Sequence, residues 1–115
     1  MRHKHKIKQL SREMNQRNAL LKTLAVSLIK HGQIETTEVK AKALKPLAER
    51  LVTFGKTGTL AGQRNLISRV GPTAATKMMK DIAPKYKDRQ GGYTRIVKTR
   101  VRKTDAASMA VISFV

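Results

Sequence analysis

Residues 93–102, Tyr-Thr-Arg-Ile-Val-Lys-Thr-Arg-Val-Arg, constrain the chain more than any other stretch. β-Branched residues recur through it, so it reads as a strand, yet Lys or Arg stands at nearly every second position. Strand side chains alternate between faces. Tyr93, Val97 and Val101 share one face with Arg95 and Thr99; Thr94, Lys98, Arg100 and Arg102 share the other, with Ile96 the exception. The pattern predicts a half-buried strand with a packing apolar face and a cationic face left in solvent. Lys98, Arg100 and Arg102 would then stand about 6.7 Å apart, a row able to follow a phosphate backbone. Edge strands also carry lysine to discourage edge-to-edge pairing, but that accounts for one or two charges. The segment from Lys85 to Lys103 has eight basic residues and one acid, Asp88. The preceding Gly91-Gly92 suits a turn with positive φ and equally a close approach of bare N–H groups to phosphate.

The same bias runs through the whole chain. Lys and Arg number 25 against 7 acids in 115 residues, a net charge of +18 and a pI near 11.1. A compact domain so charged repels itself, and a polyanion, nucleic acid first, is the natural partner. A hydrophobic content of 40% supports one modest core. Cysteine is absent, which removes disulfides, thiol catalysis and Cys-type zinc sites. No P-loop, GxSxG or HExxH occurs, and the acids are too scattered for acid–base or two-metal chemistry. His3 and His5 lie in a basic N-terminal stretch, and His31 sits at a helix end where a cation is favourable. No enzyme, cofactor, metal or small-molecule substrate is called for. Aromatic residues, Phe54, Tyr86, Tyr93 and Phe114, make up only 3%. That is too few for base-stacking platforms, so binding should run through phosphates, 2′-hydroxyls and shape.

Residues 1–12 form a basic arm, with Arg2, Lys4, Lys6, Lys8 and Arg12 preceding the first acid; it is expected to fold onto its partner on binding. Residues 13–115 form a single globular domain. A helix starts near Ser11 or Asn15, both good caps, and carries Leu20, Leu24 and Leu28 beside Leu21, Ala25 and Ile29. Arg17 and Lys22 lie off that stripe, and His31-Gly32 ends it. "QIETT" is a short strand. Thr36 or Thr37 caps a second helix with an apolar stripe of Val39, Ala43, Leu47, Leu51 and Phe54 and a kink expected at Pro46. A third helix covers about Thr59 to Val70. A fourth begins near Pro72, buries Ala75, Met78, Met79 and Ile82, and stops at Pro84. The basic strand and "MAVISFV", joined by "KTDAAS", form an antiparallel hairpin. The fold class is α+β: a small two-layer α/β domain in αβααα-ββ order, with helices on one side of a small sheet.

The opening "MRHK", the block "RNALLKTLAVSLIKHGQIETTEVKAKAL" at 17–44, "RQGGYTRIVK" at 89–98 and the terminal "MAVISFV" together resemble the bacterial large-subunit ribosomal protein seventeen family. The likeness covers nearly the whole chain, with 55–80 similar in pattern only. Asn15-Gln16-Arg17 replaces a usual Ser-His-Arg step, and Glu38-Val39 a usual Leu-Pro. The resemblance implies a structural component of the large subunit in the cytoplasmic ribosome, near the side where the peptide exits. It further implies 23S-type ribosomal RNA and neighbouring large-subunit proteins as partners, with no membrane. Arg2, His3, Arg17, Thr36, Thr37, Lys40, Lys42, Gly91, Gly92, Tyr93 and Arg95 occupy matching motif positions. The residue pattern itself adds Lys4, Lys6, Lys8, Arg12, Lys22, Lys98, Arg100 and Arg102 as RNA contacts. The alternatives are a basic DNA-compacting architectural protein and, from another class, a membrane-active cationic protein using the leucine stripe.

Overall fold

The structure, a computed structural model, describes residues 13–115. The arm and the Ser11 cap lie outside the described residues. The elements run α1 Met14–His31, β1 Gln33–Thr37, α2 Glu38–Thr57, α3 Leu60–Val70, α4 Pro72–Lys77, β2 Thr94–Val101 and β3 Ser108–Phe114. The helical path does not stop after α4 but changes winding, to a π-turn over Met78–Ile82 and a 3₁₀ turn over Ala83–Tyr86. The αβααα-ββ order and the packing of helices on one face of the sheet are as the sequence implies.

Helix α1 begins one residue before Asn15: Glu13 is extended and holds the N-cap without a side-chain bond, while its carbonyl accepts from the Arg17 amide at 2.8 Å. Asn15 therefore lies inside the first turn and is not the cap. Ala25, Leu28 and Ile29 are buried, and Gly32 closes the helix in the left-handed conformation. Thr37 caps α2 by accepting from the Lys40 amide at 3.4 Å. The helix continues through Pro46, whose ring lies on the exposed side. The buried face of α2 is Ala41, Leu44, Ala48, Leu51, Val52 and Gly55. Of the stripe expected there, only Leu51 is fully buried; Val39 is 52% exposed. Small alanines, which a search for large apolar residues passes over, make up part of that buried face.

The winding change after α4 has a local cause. Pro84 has no N–H to donate, and in an α-helix its ring would press on the carbonyl of Lys80. The wider turn, in which the Ala83 amide reaches the Met78 carbonyl, relieves this while still burying Met78, Ile82 and Ala83. Pro84 thus reshapes the helix where the sequence suggests a stop.

β3 is the central strand of an antiparallel sheet ordered β1-β3-β2. Ile34, Ile112 and Ile96 lie side by side in one row, and Glu35, Val111 and Val97 in the next. Ile112 is fully buried under the helices, so its row faces the core and the Val97 row faces out. Val97 and Val101 are 51% and 61% exposed, whereas Thr94 is buried and Ile96 packs on the core. From Thr94 to Lys98 the two faces are therefore the reverse of those the alternation suggests, while Tyr93 is buried as expected. The residue next to Ile112 in the register, not the count of valines, decides which side packs.

Gly62, in the first turn of α3, lies tight against the end of α2. A Cβ there would lie 2.5 Å from the Phe54 carbonyl oxygen and 2.4 Å from the Thr57 hydroxyl, so backbone must move. Gly62→Ala is expected to lose about 1–3 kcal/mol despite alanine's better helix propensity, read as a lower denaturation midpoint.

Candidate nucleic-acid interface

The entry to β2 is the most densely bonded junction in the domain. Gly91 and Gly92 both take positive φ, 84° and 63°, a double turn that side-chain-bearing residues rarely adopt. It delivers the amides of Tyr93 and Thr94 to the Glu49 carboxylate of α2, at 2.9 and 3.3 Å, and the Thr94 hydroxyl donates to the same group at 3.1 Å. Lys56, two turns along α2, donates to the Arg89 carbonyl and to the Tyr93 hydroxyl. That ammonium favours the phenolate and lowers the Tyr93 hydroxyl from its ordinary pKa. The Tyr93 ring stacks at 57° on Tyr86, centroids 5.3 Å apart. Burial raises the Tyr86 hydroxyl, which donates to the Val115 carbonyl at 2.6 Å.

Beyond this junction the expected row of strand cations is rearranged. Lys98 lies opposite Ala110 but Val101 opposite Ser108, so β2 holds one residue more than β3 over this interval. The bulge shifts the alternation and bends the strand. Lys98, on the helix side, meets Glu38 at 3.6 Å where α2 begins, and Glu38 also pairs with Lys42 at 2.8 Å. Arg100 turns to the open face and bonds Glu35 at 3.0 Å, joined by the Thr99 hydroxyl at 2.8 Å. Arg102 falls after the strand and forks onto Asp105 at 2.9 and 2.7 Å. Bonds from Arg100 and Thr99 lower the Glu35 carboxyl, and a bond from Lys42 lowers that of Glu38. The Arg102 fork, with the Ala107 amide, holds Asp105 at about 2.

Lys98, Arg100 and Arg102 are thus not one evenly spaced free row. Arg100 and Arg102 are each oriented by a carboxylate, Lys98 lies 3.6 Å from one, and all three side chains remain partly solvent-accessible. Arg95, Gly91 and Gly92 are exposed, as is Lys22; Arg17 and Lys40 are half-buried. Thr36 and Tyr93 are buried, in the sheet and at the junction respectively. Glu35, Glu38, Glu49 and Asp105 contact this surface, though their sequence positions carry no catalytic pattern that singles them out. Their signal is positional: four of the seven acids contact the hairpin or its entry.

Among the described residues no cluster of His, Asp or Glu is placed to hold a metal, and no helix is long and apolar enough to cross a membrane. A family model described as "Ribosomal protein L17" matches residues 20–115. The chain belongs to the ribosomal protein L17 family. It is 49% identical to the large ribosomal subunit protein bL17 of Campylobacter jejuni, across 100% of this chain and 99% of that one. The bL17 proteins of Aliarcobacter butzleri and Persephonella marina are 50% and 52% identical, across 100% of this chain and 100% and 95% of theirs. L17 proteins are ribosomal constituents, not enzymes.

Two outcomes test the junction and the hairpin. Glu49→Ala should cost about 2–3 kcal/mol and speed amide exchange first at Tyr93 and Thr94, which lose a charged acceptor. The Asp105 carboxyl should titrate near 2, below its ordinary 3.8. Because the folded value is depressed, its clamp on Arg102 is complete above about pH 4 and released as pH falls toward 2, followed by carboxyl NMR shifts.

Proposed function

We propose that this chain is a structural constituent of the large subunit of the cytoplasmic ribosome, holding 23S-type ribosomal RNA through phosphate and shape contacts. The observation that carries the reading is the carboxylate-oriented hairpin: a strand whose cations are fixed in direction and whose acids are few. Such side chains lose less freedom on meeting a phosphate than free lysines do. Lys98, Arg100 and Arg102 position the hairpin. Arg95, Lys22, Arg17, Lys40 and Lys42 add contacts from the open sheet face and the two long helices. Gly91 and Gly92 offer backbone at an exposed turn. Thr36, Thr37 and Tyr93 serve by holding these groups in place. Arg2, His3, Lys4, Lys6, Lys8 and Arg12 of the arm supply further contacts. Neighbouring large-subunit proteins complete its surroundings, and no membrane or small-molecule substrate takes part.

In a lysate gradient, tagged protein should migrate with the large subunit after a moderate salt wash; migration with DNA would favour an architectural DNA role instead. If six to ten phosphates are neutralised, affinity for ribosomal RNA should fall by about 10³ to 10⁵ between 50 and 200 mM salt. Deleting residues 1–12 should flatten the log–log salt slope by roughly four units; an unchanged slope would remove the arm from the interface.

A further inference from the structure

The charge clamped at the hairpin leaves a second group of cations unaccounted for. A cavity of about 250 Å³ opens where the end of α1 meets the π-turn, and His31, Lys77, Asp81, Lys85, Tyr86 and Phe114 are among its lining residues. It lies at the far end of β3 from the hairpin loop. That strand spans Ser108–Phe114, roughly 20 Å of chain. A phosphate held at one end is therefore not within reach of the other.

Asp81 stands four residues after Lys77 and four before Lys85. On a regular helix such neighbours form surface ion pairs. Here the π-turn and 3₁₀ turn break the period between them. Among the described residues, the ion pairs within 4.0 Å involve Glu35, Glu38 and Asp105, and not Asp81. The Lys77 ammonium is instead held by the Lys30 carbonyl at 2.7 Å, at the end of α1. That bond uses one of its three donors and leaves two. The cavity is thus lined by two lysines, one with its ammonium held at the Lys30 carbonyl, and by an acceptor-only carboxylate.

Resting on the ribosomal RNA reading, we infer that this cavity is a second RNA contact that takes one ribose-phosphate, with Lys77 and Lys85 on the phosphate and Asp81 accepting the 2′-hydroxyl. An acid in a bare phosphate site is only repulsive. Beside a ribose it gains a donor that deoxyribose lacks, and the 2′-hydroxyl is what distinguishes the two nucleic acids at a given position. The hairpin and this cavity then hold separate stretches of backbone. The protein ties two RNA segments together where a single patch would only coat one.

The test uses the full chain, with a short RNA duplex and the DNA duplex of the same sequence as probes, and circular dichroism to confirm that each variant is folded. Asp81→Ala should weaken RNA binding and strengthen DNA binding, closing the gap between them by about fivefold or more. A double change, Lys77→Gln with Lys85→Gln, should weaken both and flatten the salt slope by about one unit, as expected for one lost phosphate. An unchanged gap in the Asp81 variant, or an unchanged slope in the double variant, would overturn the inference. Arg100→Gln serves as the control. If it weakens binding to ribosomal RNA while the cavity variants do not, the RNA reading survives and the second contact falls. If the unaltered chain has no affinity for ribosomal RNA, both fall together.

Discussion

One carboxylate organises the join between the two layers. Glu49 leaves the middle of α2 and receives two successive amides and a hydroxyl from the start of β2, 44 and 45 residues away in the chain. A half-buried carboxylate needs several donors, and a strand entering a sheet edge has amides without partners. Each meets the other's need. The double glycine turn exists to aim those amides, and Lys56 and the tyrosine pair fix the turn from its other side. With the entry fixed, the register of β2 on β3 follows, and with it the direction of every basic side chain that comes after.

The hairpin shows how few acids suffice to shape a basic surface. Arg100 and Arg102 are held by Glu35 and Asp105, and Lys98 lies near Glu38. Exposed pairs of this kind contribute little to stability. Their effect is on direction. A guanidinium forked onto a carboxylate occupies a narrow set of rotamers, and its outward N–H groups point to a fixed place. The hairpin loop is fixed in the same way, since the Asp105 carboxylate that holds Arg102 also accepts from the Ala107 amide. Ala106 takes a positive φ of 56° beside it, a conformation kept by the closure around it.

Much of the fold was legible because its signals are local. The leucine spacing of α1, the Gly32 ending, the Thr37 cap and the polar loop between β2 and β3 each depend on a few neighbouring residues. What was not legible depends on residues distant in sequence. The buried face of α2 includes Ala41 and Ala48, and small side chains give a weak periodic signal. The face of β2 turns on its register against Ile112, and the bulge after Lys98 has no marker such as glycine in the strand. The basic character of the site could be counted from the sequence. Its division into clamped and unclamped cations could not, because that depends on Glu35 and Glu38 arriving from a different part of the chain.

That division bears on how the domain tolerates its own charge. A net charge of +18 on 115 residues disfavours compaction through self-repulsion. The core opposes this with a continuous cluster from all four α-helices and the sheet, including Leu28, Leu44, Leu66, Met78 and Ile112 at 0% exposure. The acids reduce repulsion among the cations along β2 and just after it. Elsewhere the remaining charge is left to a polyanion, and whatever neutralises it binds the folded chain in preference to the unfolded one, adding stability by mass action. Partner and fold are coupled in this way: the surface that repels itself in isolation is the surface that a polyanion neutralises.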